Sequence, residues 1–175
     1  MQFDQFVASI ELSGLLADEL SPHRVRGTAV FLASSPVGTP VALLNNLKHN
    51  RVIHERNILL TFLTERVPYL PDEKPRLEIT PFGDRFFRVI ARFGYMEIPT
   101  METIADAAKT QNFDLRPEKT TFFLGRETLV PSKGKGLSKL RRAVFRLMSR
   151  NAENAADFFQ LPSDRTVEIG FPVEL

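Results

Sequence analysis

Three histidines, a pair of adjacent serines and a glycine-interrupted run of lysines are the residues of this 175-residue chain whose types and spacing bear on chemistry. His49 and His54 stand five apart across the expected end of a helix. Two imidazoles share a metal when they lie four apart on one helical face, and no acidic pair is grouped with these or with His23. No metal site is expected, and the histidine side chains are expected to serve in structural hydrogen bonds. Ser34-Ser35-Pro36 reads as a turn with no partner base, and no G-x-S-x-G elbow occurs. The carboxylates are scattered, and nothing in their spacing pairs a general acid with a base. No catalytic residue and no cofactor is assigned, so the chain reads as a non-enzyme.

The anion question is closer. Gly125 and Arg126 follow the apolar Phe122, Phe123 and Leu124, and Lys133, Gly134, Lys135 and Gly136 directly precede the most strongly periodic segment of the chain. A glycine loop feeding a helix presents N–H groups to an anion, so these six residues are the candidate contacts for a phosphate or nucleotide. The run is not G-x-x-x-x-G-K-[ST], and Val130-Pro131-Ser132 separates it from the preceding strand; a solvated loop is the competing reading. Over residues 137–159 at 100° per residue, Leu137, Leu140, Val144, Leu147 and Met148 share one stripe, while Lys139, Arg142, Arg146 and Arg150 fall opposite. No acid occurs between Glu127 and Glu153. Such a basic back either faces solvent or meets something anionic, an acidic partner or lipid headgroups at about 1 kcal/mol per basic residue. Nucleic acid is not expected, because no aromatic residues interleave the basic ones.

The elements that must position these residues follow from periodicity and turn chemistry. Phe3, Phe6, Val7 and Ile10 recur at helical spacing, which predicts an amphipathic lead-in helix and linker over residues 1–22 ahead of one domain over 23–175. Residues 27–33 form a short apolar run ending in a turn, which predicts a buried strand. Thr39 is the expected N-cap of a helix running to about Asn50, with Pro40 at its first position. Residues 56–64 are the second expected strand. Residues 76–80 and 87–93 alternate apolar with polar and flank the Pro81–Asp84 turn, which predicts a hairpin with one wetter face and Glu78 opposite Arg88 or Arg92. A helix over 100–112, a strand over 120–130, the long helix 137–159 and a strand over 166–175 complete the pattern. It implies an α/β fold, a mixed and mostly parallel sheet with flanking helices and one β-hairpin.

Composition agrees with a folded domain: 43% hydrophobic residues, 15 phenylalanines and 25% charged residues at a net charge of +2. The absence of cysteine excludes disulfides, thiolate metal sites and a cysteine nucleophile. No apolar run approaches the roughly 18 to 20 residues of a membrane span, and no signal peptide is expected.

The segments GTAVFLASSPVGTPVALLNNLKHN (27–50), HERNILLTF (54–62), FFRVIARFGYMEIP (86–99), TTFFLGRETLVPS (120–132) and LMSRNAENAADFFQLPSDRTVEIGFPVEL (147–175) occur in this order. Together they resemble the cytoplasmic C-terminal domain of the KUP (KUP/HAK/KT) potassium transporters. Arg26 departs from the family's usual proline before Gly-Thr-Ala, and residues 68–74, 100–119 and 133–140 match poorly. The resemblance implies a regulatory and assembly domain on the cytoplasmic side of a bacterial inner membrane. Its partner would be a preceding membrane domain of the same polypeptide, which performs potassium–proton symport and holds the ion sites. It further implies that Lys139, Arg142, Arg146 and Arg150 lie near anionic lipid and that residues 1–22 form the tether. A homodimer through the sheet edge or lead-in helix is an additional expectation. The alternative it raises is a module sensing cyclic di-AMP or an adenine nucleotide.

Overall fold

Runs of β-branched and aromatic residues broken by proline and glycine turns give six strands, here seen in a computed structural model that describes residues 22–83, 85–130 and 155–174. The strands are β1 (His23–Ala33), β2 (Val52–Glu65), β3 (Leu77–Pro81), β4 (Phe86–Gly94), β5 (Thr120–Val130) and β6 (Thr166–Glu174). The helices are α1 (Val41–Asn45), continued as a π-helical turn over Asn46–Asn50, α2 (Met101–Thr110) and α3 (Ala155–Phe158).

The sheet order is β3-β4-β2-β1-β5-β6. β3 pairs antiparallel with β4 as the expected hairpin, and the other four neighbour pairs are parallel. The expected mixed, mostly parallel α/β sheet is therefore what forms. The chain starts at the central β1, builds outward through β2 and β4, then returns to β1's other side with β5 and β6. Right-handed crossovers running in opposite directions place their helices on opposite faces. Ala42, Leu43 and Leu47 accordingly pack on Ala29, Phe31 and Leu59 of one face. Met101, Ile104, Ala108 and Leu161 pack on Val30, Ile58, Leu60 and Phe122 of the other.

Several boundaries differ from the sequence expectation. β1 begins at His23, four residues early, with a register shift between Val25 and Thr28 where Gly27 takes φ +105°. β2 begins at Val52, four residues early, and the fully buried Asn57 is satisfied within the strand: its amide donates to the His54 carbonyl at 2.8 Å and its oxygen accepts the His54 N–H at 3.3 Å. The cap of α1 is Pro40 and not Thr39; no side chain caps it, and the Pro40 carbonyl accepts from Leu43 and Leu44. The helix ends at Arg51 in the left-handed conformation. α2 starts as expected, its Thr103 N–H capped by the Thr100 hydroxyl at 3.2 Å. The lead-in helix expected over 1–22 and most of the long helix expected over 137–159 lie outside the described residues; α3 is the described end of the latter.

Candidate functional site

β1 and β5 are adjacent parallel strands of the sheet. Residues 34–40 lead from β1 into α1, which covers one face, while Ala156, Phe159 and Leu161, ahead of β6, pack on the face covered by α2. A crevice opens at the carboxyl ends of these two strands, where open parallel sheets commonly carry one. Here it has a volume of about 410 Å³. Its floor is apolar, from Leu32, Phe62, Leu124 and Phe159, and its rim carries Ser34, Ser35 and Thr39. The Phe62 and Phe159 rings are stacked, 3.9 Å between centroids and 15° from coplanar.

The loop forming one wall is held from beneath by two buried polar side chains of the sheet. Thr61 of β2, 1% exposed, donates its hydroxyl to the Ser35 carbonyl at 3.2 Å. Arg88 of β4, 6% exposed, donates to the carbonyls of Pro36 and Gly38, the latter at 3.2 Å, with its guanidinium 5.3 Å from the Phe82 ring centre. Burial lowers the affinity of this guanidinium for its proton. The face expected to be wetter in β4 thus buries Arg88, because the loop whose carbonyls it meets closes over it. Within the loop, the Ser35 hydroxyl accepts the Val37 N–H at 3.2 Å.

A second fixed point lies at the same end of the sheet. Glu97 accepts the Gly94 N–H at 2.5 Å and the Leu70 N–H at 3.2 Å, and pairs with Arg76 at 2.8 Å. The Arg76 hydrogen bond, aided by the two backbone donors, holds the Glu97 carboxyl below the ordinary glutamate range. Gly94 can only be glycine here, because a Cβ would lie 2.3 Å from the Pro68 carbonyl oxygen. Of the two partners open to Glu78, the structure selects Arg92, at 2.9 Å, which also pairs with Glu65 at 3.1 Å.

Of the residues expected to contact an anion, Gly125 lines the crevice. Arg126 instead turns to Glu168 of β6, at 3.1 Å. Lys133, Gly134, Lys135 and Gly136, and the basic stripe Lys139, Arg142, Arg146 and Arg150, lie outside the described residues. Among the described residues lining the crevice, none is charged. The histidine expectation fails at His54: its Nδ1 is buried without a hydrogen-bond partner among the described residues, the ring stands edge-on to Phe123 at 5.9 Å, and burial disfavours its protonation. No group of three or more potential metal ligands occurs among the described residues. Sequence reasoning missed Thr61 and Arg88; Arg88 stands between Phe86, Phe87, Val89 and Ile90, but Arg92 of the same strand looks alike in sequence and stays ion-paired at the surface.

Residues 26–175 match the family model described as K+ potassium transporter C-terminal domain. The chain is 43% identical over 175 residues to the probable potassium transport system protein Kup 2 of Chromobacterium violaceum, covering 100% of the chain and 27% of that relative. It is 44% identical over 170 residues to the probable potassium transport system protein Kup of Myxococcus xanthus, covering 96% and 26%. The Pseudomonas aeruginosa protein of that name is 43% identical over 154 residues, covering 88% and 24%. The chain therefore spans about a quarter of the length of the curated relatives it matches. No solved structure matches it.

Proposed function

Because this chain belongs to the family of K+ potassium transporter C-terminal domains, we propose that it regulates and assembles a potassium uptake transporter without itself conducting the ion. Potassium–proton symport belongs in this reading to a membrane domain of the same polypeptide, and the present domain sits on the cytoplasmic side of the bacterial inner membrane, tethered through residues 1–22. The observation that carries the reading is a family match over residues 26–175 to relatives about four times as long as the chain.

Physical chemistry supports the division of labour. A permeating cation needs a cage of oxygen ligands within the bilayer to replace its hydration shell. Among the described residues, no helix is long and apolar enough to cross a membrane. The assembly role draws support from exposed apolar side chains gathered where the chain leaves the carboxyl ends of strands: Val37, Val41, Tyr69, Tyr95, Met96 and Ile98. Reconstitution tests the reading. Liposomes containing the 175-residue chain alone should show no potassium flux above empty liposomes, whereas those containing the full-length polypeptide should. Flux through the chain alone would overturn it.

A further inference from the structure

We infer that the domain rests on the bilayer through the amino ends of β1 and β2, where a basic corner meets anionic phospholipid headgroups. The inference deepens the proposed function and rests on it for the presence of a membrane beside the chain.

Charge is segregated along the sequence first. No aspartate or glutamate occurs between Glu19 and Glu55, while Arg24, Arg26, Lys48 and Arg51 all fall within that stretch. The fold then gathers these four cations at one end of the sheet. The connection from β1 returns through α1 and its π-helical turn to the amino end of β2, and there the His23 N–H donates to the Arg51 carbonyl at 2.7 Å. Val52 and Ile53, the next two residues, pair with His23 and Arg24. Arg24, Arg26, Lys48 and Arg51 are exposed.

The corner is fixed in shape. Asn46, 2% exposed, donates to the Val52 carbonyl at 2.8 Å and accepts from the Asn50 amide at 2.9 Å, and Leu47 and Ile53 anchor the turn in the core. Attraction of cations to a helix C-terminus accounts for Lys48. It leaves out Arg24 and Arg26, which belong to β1, and Arg51, which follows the turn with φ 53°. Glycine adopts that left-handed conformation without strain. An arginine there is kept against a backbone cost, which a role for its side chain outside the fold explains.

Position selects the lipid surface as the partner. In the proposed reading residues 1–22 are the tether, so the corner is where the chain arrives from the bilayer. Cytoplasmic leaflets are anionic, and each lysine or arginine near such a surface strengthens binding about fivefold. The exposed Tyr69, beyond the carboxyl end of β2, is followed instead by the exposed Asp72 and Glu73, which anionic headgroups repel. The amino ends of β1 and β2 therefore face the membrane, and the carboxyl ends face away.

Sedimentation with vesicles tests the contact. The 175-residue chain should bind vesicles of phosphatidylglycerol and phosphatidylcholine more tightly than vesicles of phosphatidylcholine alone. Lys48→Gln combined with Arg51→Gln should lower the partition coefficient about 25-fold, roughly fivefold for each charge. The same loss should appear on a background in which Lys139, Arg142, Arg146 and Arg150 are glutamine, which separates the corner from that stripe. Arg51→Gly should weaken binding about fivefold while the urea midpoint holds or rises, and Arg51→Lys should bind as the wild type does. Equal binding to the two kinds of vesicle, or a Lys48 and Arg51 double variant that binds as tightly as the wild type, overturns the inference. Sedimentation reads no transport, so that failure leaves the proposed function standing, and only potassium flux through the chain alone removes the latter.

Discussion

Burying a guanidinium is costly unless its donors are met, and Arg88 meets them with loop carbonyls instead of a carboxylate. Arg88→Met keeps the apolar stem and leaves the Pro36 and Gly38 carbonyls without those donors. It should lower the unfolding free energy by about 2 kcal/mol, seen in urea denaturation, and speed amide exchange in residues 34–39 more than in β4. Equal exchange in the loop would show that Arg88 does not hold it. Glu97 gives a pH signature. Its folded-state pKa lies below the ordinary value of 4.5, so its contribution is fully present above that value and is lost as pH falls through the lower folded one. Glu97→Gln should therefore cost stability at neutral pH, with the gap to wild type closing in acid; a gap independent of pH in the same denaturation series would refute this. Neither residue was legible beforehand. Alternation groups Arg88 with Ile90 and Arg92 on one face, and only tertiary cover decides that Arg88 is buried at 6% exposure while Arg92 stays at the surface as an ion-paired side chain.

At the level of elements, patterning carried most of the fold. The hairpin of β3 and β4 followed from alternation on either side of a Pro-Phe-Gly-Asp turn, and α2 from the apolar Met101, Ile104, Ala105 and Ala108. Boundaries failed where polar residues sit inside strands. Asn57 lies inside the expected strand and is fully buried there, its side chain satisfying the backbone of His54 in the part of β2 that extends ahead of the expected start. Strand order was illegible, because hydrophobic runs such as Ala29–Leu32 and Ile58–Leu60 do not encode which neighbour they pair with, and the crevice depends on that order. The close approach of the β4 end to the following connection of β2 was equally hidden in a bare glycine. Gly94→Ala sets a methyl group against the Pro68 carbonyl, a backbone atom unable to swing aside. It should cost about 3 kcal/mol, read as a lowered denaturation midpoint with an unchanged slope; a loss within experimental error would mean that Glu97 and Arg76 do not fix that contact.

The whole molecule joins a mostly parallel sheet, exposed apolar side chains beyond the carboxyl ends of its strands and membership in a family of transporter C-terminal domains. The family was legible from five ordered segments, whereas the crevice needed coordinates. A regulatory domain acts by shifting an equilibrium of the part that conducts, and coupling of about 1–3 kcal/mol suffices for changes of roughly five- to 150-fold. The most direct measurement is rubidium influx into cells without potassium uptake of their own, expressing the full-length polypeptide either intact or ending before residue 23, with membrane insertion of both verified. The account predicts influx through both, at rates differing at least about fivefold. Equal rates per inserted molecule would contradict it.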